Sequence, residues 1–544
     1  MIALRCVLLL LSFIGLQTVL VRRMKPAFSQ GVMFAVIAGV LFFGGAVGQL
    51  RAAAWIVCFA GLSCFAISVI RRQRFHWLLS FPQLVSAALG LFFLFTLYGL
   101  ILTGYDDFSH WGVVARILVR CCRFPNSSDL HVAFQSYPLG SAVLIYDFSE
   151  ITGVKAEWIW LWAQAVVTIG LFTGLLAFGK NRKENLFLLA VMLILMSSNV
   201  FFINLMVDTM ITGCALCSMS FTLYYREQIK SKLFWLLPLM MLLVELKTSG
   251  IFFVIIILLY VFIELRKTRS TAAARMWPIL FALSFIPLVI WYCHLHAAFP
   301  GAMSSNHAVS LEGFYSRLRR RPIDVAFFIL VQMLRRVLSP ELELLWLIVY
   351  AVLLLLINRS YFRENRMIRS IYCFVFWSGA AYMIVLYGTY LVAMSWYEAS
   401  VVAGIERYLV TFTAFAAGVF SILLLVLSDE LRKKAKWKGL VWAGLWTLVL
   451  LLTMGRQLGF WMPWTTETEP RTSLEKQIQE MQIQQEKRYL IVREAPLDDD
   501  GYIYYMYTYS LNPEKIQFCT EQELEEGKYL AEDYDYVLRP DMAD

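Results

Sequence analysis

The chain has 544 residues, of which 59% are hydrophobic and only 16% charged, against about 45–50% apolar and about 25% charged in soluble globular proteins. The apolar residues fall in continuous blocks of about 17–25, the helix length that crosses about 30 Å of hydrocarbon. Blocks without alternation exclude a transmembrane barrel and leave helices. The formal net charge of +9 sits in short loops between apolar blocks, as cytoplasmic loops of membrane proteins require, and so argues against nucleic acid as a partner.

Residues 1–20 form the first apolar block. It is too long for a usual signal-peptide core, and Arg22, Arg23 and Lys25 follow it as a cytoplasmic flank, so a first span with an outer N-terminus is expected. Spans at about 29–48 and 52–70 lead to the basic turn of Arg71, Arg72 and Arg74. A fourth block, 78–103, then delivers Asp106 and Asp107 to the outer face. Over 113–124 apolar positions interleave with Arg116, Arg120 and Arg123, a pattern that predicts an amphipathic helix lying along the interface. Spans follow at about 156–179 and 186–203, with Asp208 at the outer end of the second. Two more bracket Lys247 on the same outer side.

Beyond the basic stretch 266–275, a span at 277–297 reaches a polar outer loop, 300–324. That loop holds His307 and the arginine-rich run 317–321. An interfacial helix at 326–338 and spans at 341–357, 370–393, 408–427 and 438–454 complete about 13 spans. After residue 456 the composition turns acidic and rich in tyrosine. A helix is expected over 474–489, and strands over 489–492, 502–509 and 534–538. The predicted architecture is therefore an all-α polytopic membrane domain, 1–455, with an outer loop at about 104–155, followed by a small extracytoplasmic α/β domain, 456–544. The ten cysteines show no metal-ligand spacing and require no disulfide framework. His294 and His296 are too isolated to serve as metal ligands.

Carboxylates at a bilayer edge are costly unless something uses or pairs them, which singles out Tyr105-Asp106-Asp107-Phe108-Ser109-His110-Trp111. A carboxylate there suits a proton acceptor for a hydroxyl, or an oxygen ligand for a divalent cation. A solvated exit turn beside an interfacial Trp belt is the plainer reading. For Asp208 the plain reading is a helix N-cap, and for Lys247 it is a snorkelling lysine. The alternative for Lys247 is to neutralise an anionic group such as phosphate. Arg407, in Glu406-Arg407-Tyr408, either pairs with Glu406 or acts as a second phosphate clamp through its planar fork. The run 317–321 suits anionic headgroups. No phosphate-binding glycine loop, dinucleotide fingerprint or nucleophile elbow is present.

In order and sidedness, these pieces resemble the GT-C class of integral-membrane glycosyltransferases, over about residues 100–410. The acidic pair of that class corresponds to Asp106-Asp107, its aromatic-Pro stretch to Tyr137-Pro138-Leu139-Gly140, and its mid-chain Asp to Asp208. Its Lys followed closely by Gly corresponds to Lys247 and Gly250, and its Arg-Tyr pair to Arg407-Tyr408. Three spans precede the one leading into the acidic loop, where many members have a single span, and Leu139 replaces a second proline.

The resemblance implies a polyprenyl-phosphate-linked sugar as donor. It also implies transfer, with inversion, to a hydroxyl of a glycan, lipid or protein acceptor on the outer face. Asp106 would be the base and Asp107 its partner; Lys247 and Arg407 would bind the donor phosphate. Tyr105, His110, Trp111, Tyr137, Asp208 and Tyr408 would line the substrate pocket. A divalent metal, Mg or Mn, on Asp106 and Asp107 is an option and not a requirement. The class habit is a bacterial plasma membrane. A transporter or flippase of a lipid-linked saccharide, and a polysaccharide polymerase or ligase, are the rival readings. A flippase would place its charges near the midplane on repeated, broken helices. In this chain they gather at one face, and no repeat is evident.

Overall fold

The computed structural model describes residues 1–129, 132–198, 204–267, 271–299, 314–315, 318–319, 321–339, 348, 365–433, 469–482, 487–493, 501–511 and 513–539. His307, Arg317, Arg320, the span expected at 341–357 apart from residue 348, the span expected at 438–454 and the junction at 455–456 lie outside them. In chain order the helices are α1 (Ile2–Leu20), α2 (Pro26–Ala46), α3 (Leu50–Ile70), α4 (Phe81–Leu97), α5 (Gly112–Cys121), α6 (Gly140–Thr152) and α7 (Glu157–Phe172). They continue as α8 (Arg182–Ser197), α9 (Asp208–Tyr224), α10 (Ile229–Leu246), α11 (Gly250–Lys267), α12 (Thr271–Ser284) and α13 (Ile286–Ala298). Next come α14 (Ile323–Val337), α15 (Arg366–Val392), α16 (Trp396–Ser400), α17 (Ile405–Lys433), α18 (Glu469–Glu480), α19 (Tyr502–Ser510) and α20 (Glu521–Glu525).

Seven of the described helical segments are long and apolar enough to cross a membrane: α1, α2, α3, Glu157–Phe178, Arg275–Ala298, α15 and Ile405–Leu427. The chain is thus a helical membrane protein. Proline stands in the first turn of α2, α4 and α13, where a missing N–H costs nothing, at Pro26, Pro82 and Pro287. The bundle is organised around α9, whose residues from Asp208 to Leu223 are all buried, against α7, α10 and α17. Some polar groups inside the bundle pair with one another across helices. Gln30 Nε2 donates to Gln83 Oε1 at 2.5 Å, and Ser86 Oγ donates to Gln30 Oε1 at 2.7 Å, tying α2 to α4. In hydrocarbon such interhelical bonds replace the missing water.

The C-terminal unit is α/β. Its three-stranded parallel sheet has the order β2-β1-β3, with β1 at Tyr489–Arg493, β2 at Ile516–Thr520 and β3 at Tyr536–Leu538. Alternation along β1 sends Tyr489 and Ile491 into the core shared with the membrane bundle. Leu490 and Val492 enter a small second core with Cys519.

Several expectations need correction. Residues 502–510 form the helix α19, not a strand: the tyrosines raise strand propensity, but Tyr502, Tyr505 and Tyr509 recur at helical spacing and pack on Tyr105 and Phe108 beside the acidic pair. Ile516–Thr520 is a strand that composition did not suggest. The helix expected over 474–489 runs from Glu469 to Glu480, and Tyr489 belongs to β1. The amphipathic α5 presses its apolar face into the bundle and leaves Arg120 exposed. Its residues Gly112–Ala115 and Ile117–Val119 are buried, and Arg116 donates to the Tyr509 carbonyl of α19. Arg321, the end of the arginine-rich run, donates to the carbonyls of Tyr390, of Leu391 at 2.9 Å and of Met394 at 2.7 Å, capping the C-terminus of α15.

The helices α1 and α3 approach closely, Gly15 and Gly61 letting their backbones meet. A Cβ on Gly61 would stand 2.2 Å from Ser12 Oγ and 2.5 Å from the Ser12 carbonyl oxygen. Small residues there let two backbones touch. Gly61→Val should therefore cost about 1–3 kcal/mol, seen as a lower thermal unfolding midpoint in detergent. Gly90→Ala, whose new methyl would meet Val166 Cγ2 at 3.9 Å, should leave the midpoint unchanged.

Candidate functional site: a buried ionic cluster at the head of an apolar groove

The path from α4 to α5 holds the acidic pair. After Leu97 the backbone leaves the helical path, and a single turn of π-helix, Asp107–Trp111, carries it into α5. Successive residues on a helical turn point apart, and the two aspartates diverge accordingly. Asp106 reaches outward: its Oδ2 lies 2.8 Å from Arg407 Nη1, with both side chains a little over a quarter exposed. Asp107 is fully buried. Its Oδ1 accepts from the Leu205 amide at 2.9 Å, and its Oδ2 has no hydrogen-bond partner. Burial holds the Asp107 carboxyl well above the usual carboxylate range, the Leu205 N–H opposing the shift and the Asp106 charge adding to it. The two residues therefore occupy different environments and are not interchangeable.

Asp208, the first residue of α9, is buried and makes no capping bond. Its Oδ1 lies 3.5 Å from Lys247 Nζ, and its Oδ2 lies 3.6 Å from Arg407 Nε. Lys247, just past the end of α10, is also buried and does not snorkel. Asp106, Arg407, Asp208 and Lys247 thus form one cluster of two carboxylates and two cations. It is buried at Asp208–Lys247 and partly exposed at Asp106–Arg407. Glu406 does not pair with Arg407; it faces Arg336 of α14 at 3.3 Å.

Aromatic rings frame the cations. Lys247 Nζ lies 5.5 Å from the Tyr137 ring centroid and 5.4 Å from that of Tyr408, and the Arg407 guanidinium lies 5.4 Å from Tyr408. Tyr137 stacks on Trp111 and Phe134, and His110 meets Tyr137 and Trp111 edge-on. Gly140 lets the segment behind Tyr137 come this close: a Cβ there would stand 2.7 Å from the Glu245 carbonyl. The start of α17 is set by Tyr390, whose hydroxyl donates to the Ala403 carbonyl at 2.8 Å, and by Tyr382, which donates to that of Tyr408 at 2.7 Å. Tyr105 is turned away from the cluster; its ring packs on Tyr505 of α19.

An apolar groove of about 400 Å³ opens beside the cluster. Tyr137, Lys247, Thr248, Ser249 and Tyr408 stand at its polar end, and Phe252 and Ile255 of α11 face Val385, Leu386 and Val392 of α15 along its length. Its lining is invisible in sequence because these residues lie in helices that are apolar all round. Met206, whose Sδ lies 2.8 Å from Arg407 Nη1, gave no sequence signal either.

The acidic pair does not fit a shared metal site. Asp106 Oδ2 is engaged by Arg407, Asp107 Oδ1 by a backbone amide, and no group of three or more His, Cys, Asp or Glu suited to a metal ion occurs among the described residues. Compared with family models, curated proteins and solved structures, the chain matches none.

Two predictions follow from the cluster's burial. Asp208→Asn leaves two cations facing one carboxylate and should cost about 3–5 kcal/mol. In a thermal-unfolding cycle, adding Lys247→Met should recover much of that loss. His110 has no hydrogen-bond partner at either nitrogen, and burial, helped by the Lys247 charge, pushes it from 6.5 down to about 3. Between those values the unfolded chain binds the proton that the folded one refuses. His110 therefore leaves stability intact above pH 6.5 and erodes it as pH falls toward 3. The unfolding midpoint of His110→Phe should show a shallower decline with acid than wild type.

Proposed function

We propose that this chain is a membrane glycosyltransferase. It would move a sugar from a polyprenyl-phosphate donor to an acceptor hydroxyl at the extracytoplasmic face of the plasma membrane. About 13 spans and the outer sidedness of the C-terminal unit, expected from the basic loops, belong to this reading. The observation that carries it is the placement of Lys247 and Tyr408 at the polar end of an apolar groove, with the Arg407–Asp106 pair alongside. A lipid phosphate has this same polarity: a long apolar tail and one anionic head.

The isoprenoid tail lies along α11 and α15, and the phosphate comes to rest near Lys247 and Arg407. Arg407 then has an anion to bind in place of Asp106, whose Oδ2 becomes available. The acceptor oxygen attacks the anomeric carbon as the bond from that carbon to the phosphate oxygen breaks. Asp106 takes the hydroxyl proton, and the polyprenyl phosphate leaves with its new charge facing the two cations. Attack opposite the leaving phosphate inverts the anomeric carbon, as when a carboxylate activates the nucleophile of an inverting glycosidase. Asp107 holds the Leu205 amide and thereby the segment before α9.

Purified protein in liposomes, given a labelled polyprenyl-phosphate sugar, should release lipid phosphate only when acceptor is present. Asp106→Asn should lower this release by about 10²–10⁴-fold. Asp107→Asn, whose amide oxygen can still accept from Leu205, should stay within about tenfold of wild type. A chelator should leave the rate unchanged. Movement of intact donor between leaflets without release of lipid phosphate would make the protein a transporter and sink the reading.

A further inference from the structure

The C-terminal unit is joined to the acidic loop more intimately than an appendage needs to be. Tyr502, Tyr505 and Tyr509 lie on one face of α19, and each touches the chain around Asp106. Tyr502 Oη donates to the Thr103 carbonyl at 3.0 Å, and its ring meets Phe108. The Tyr505 ring packs edge-on against Tyr105 at 5.4 Å, and the Tyr509 ring packs on Phe108 at 5.3 Å.

The tightest link runs through Glu157, at the start of α7. Its Oε2 accepts from the Leu102 amide at 2.6 Å, and its Oε1 accepts from Tyr509 Oη at 2.8 Å. One carboxylate therefore clamps the strand-like entry to the acidic loop to the C-terminal helix. Tyr509 is itself fixed by two cations over its ring, Arg116 at 4.3 Å and Arg471 at 5.3 Å. Arg471 also approaches Glu157 at 3.7 Å and binds Glu475 at 2.5 Å. Burial, with the Glu157 carboxylate adding to it, holds the Tyr509 phenol above its ordinary range, so its O–H remains the donor at any working pH. Buried in low dielectric, such a network resists exchange with water and rigidifies what it holds.

We infer that Glu157 and Tyr509 are positioning residues for Asp106: the C-terminal unit completes the active site by holding the segment from Leu102 to Phe108 in place. Functionally this rests on the glycosyltransferase reading; structurally it stands without it. The unit touches neither cation of the cluster in any described contact, so its effect falls on the geometry of the base and not on the donor's affinity.

The test uses the full-length chain in liposomes, with Tyr509→Phe, Glu157→Gln and, as a comparison on the opposite face of α19, Tyr504→Phe. Amide hydrogen exchange over residues 102–108 should be about tenfold faster in Tyr509→Phe and Glu157→Gln than in wild type or Tyr504→Phe. Release of lipid phosphate should show kcat lowered about tenfold or more at unchanged donor KM. Unaltered exchange over 102–108 in both variants would overturn the proposal. So would a raised donor KM with wild-type kcat. If the wild-type protein releases no lipid phosphate, the glycosyltransferase reading fails, and the exchange experiment still decides whether this latch orders the loop.

Discussion

Four charges share a small, partly buried volume at one end of this bundle, and the surrounding elements are arranged to make that tolerable. Asp106 and Arg407 are 301 residues apart, Lys247 and Asp208 are 39 apart, and each comes from a different helix end. A lone buried ion costs several kcal/mol after relaxation, so Asp208 and Lys247, both buried, each need an opposite charge there. The loop after α4, the first turn of α9, the end of α10 and the first turn of α17 are consequently drawn to one point. The cluster's stability therefore depends on α9 being the central helix, because Asp208 alone faces both cations.

Burial divides the acidic pair into two roles. Asp106 reaches solvent beside Arg407. Asp107, one residue on, is turned into the protein and spends one oxygen on a backbone amide. An adjacent pair read in sequence suggests two equivalent carboxylates, and so either a metal chelate or a shared proton. The turn geometry removes that equivalence.

The large-scale architecture was legible because hydrocarbon tolerates so few alternatives: apolar block length gave α1, α2, α3, α7, α15 and α17, and basic loops grouped Asp106, Asp208, Lys247 and Arg407 before any contact was known. The pairing within that group was not legible. Nothing in Glu406-Arg407 tells which neighbour the guanidinium takes, and the structure sends Glu406 to Arg336 instead. The groove was invisible for another reason. Phe252, Ile255, Val385 and Leu386 have the same composition whether they face lipid, protein or a cavity. In the C-terminal unit the tyrosines misled, since strand propensity in a half-exposed aromatic run is weaker than the packing that α19 gains on Phe108 and Tyr105. Glu157, at the mouth of a span, carries no signal in the sequence, because its clamp on Leu102 and Tyr509 exists only once the fold brings them together.

Under the proposed reaction the cluster's composition matters as much as its position. With the donor bound, Lys247 and Arg407 face Asp208, Asp106 and a phosphodiester that bears one negative charge. As the glycosidic bond breaks, the leaving phosphate gains a second negative charge, while Asp106 loses one by accepting the hydroxyl proton. The net charge inside the site is therefore the same before and after transfer. A medium of low dielectric penalises a change in net charge far more than a rearrangement of charge at fixed total. Such a site performs best when the carboxylate that takes the proton lies beside the cation that receives the phosphate, which is the relation between Asp106 and Arg407. Letting Asp106 drift away from Arg407 once the phosphate has taken its place would separate the two charge changes and make each one costly. For that reason the rigidity of the segment around Asp106, held by Glu157 and the C-terminal tyrosines, belongs with the chemistry and not only with the fold.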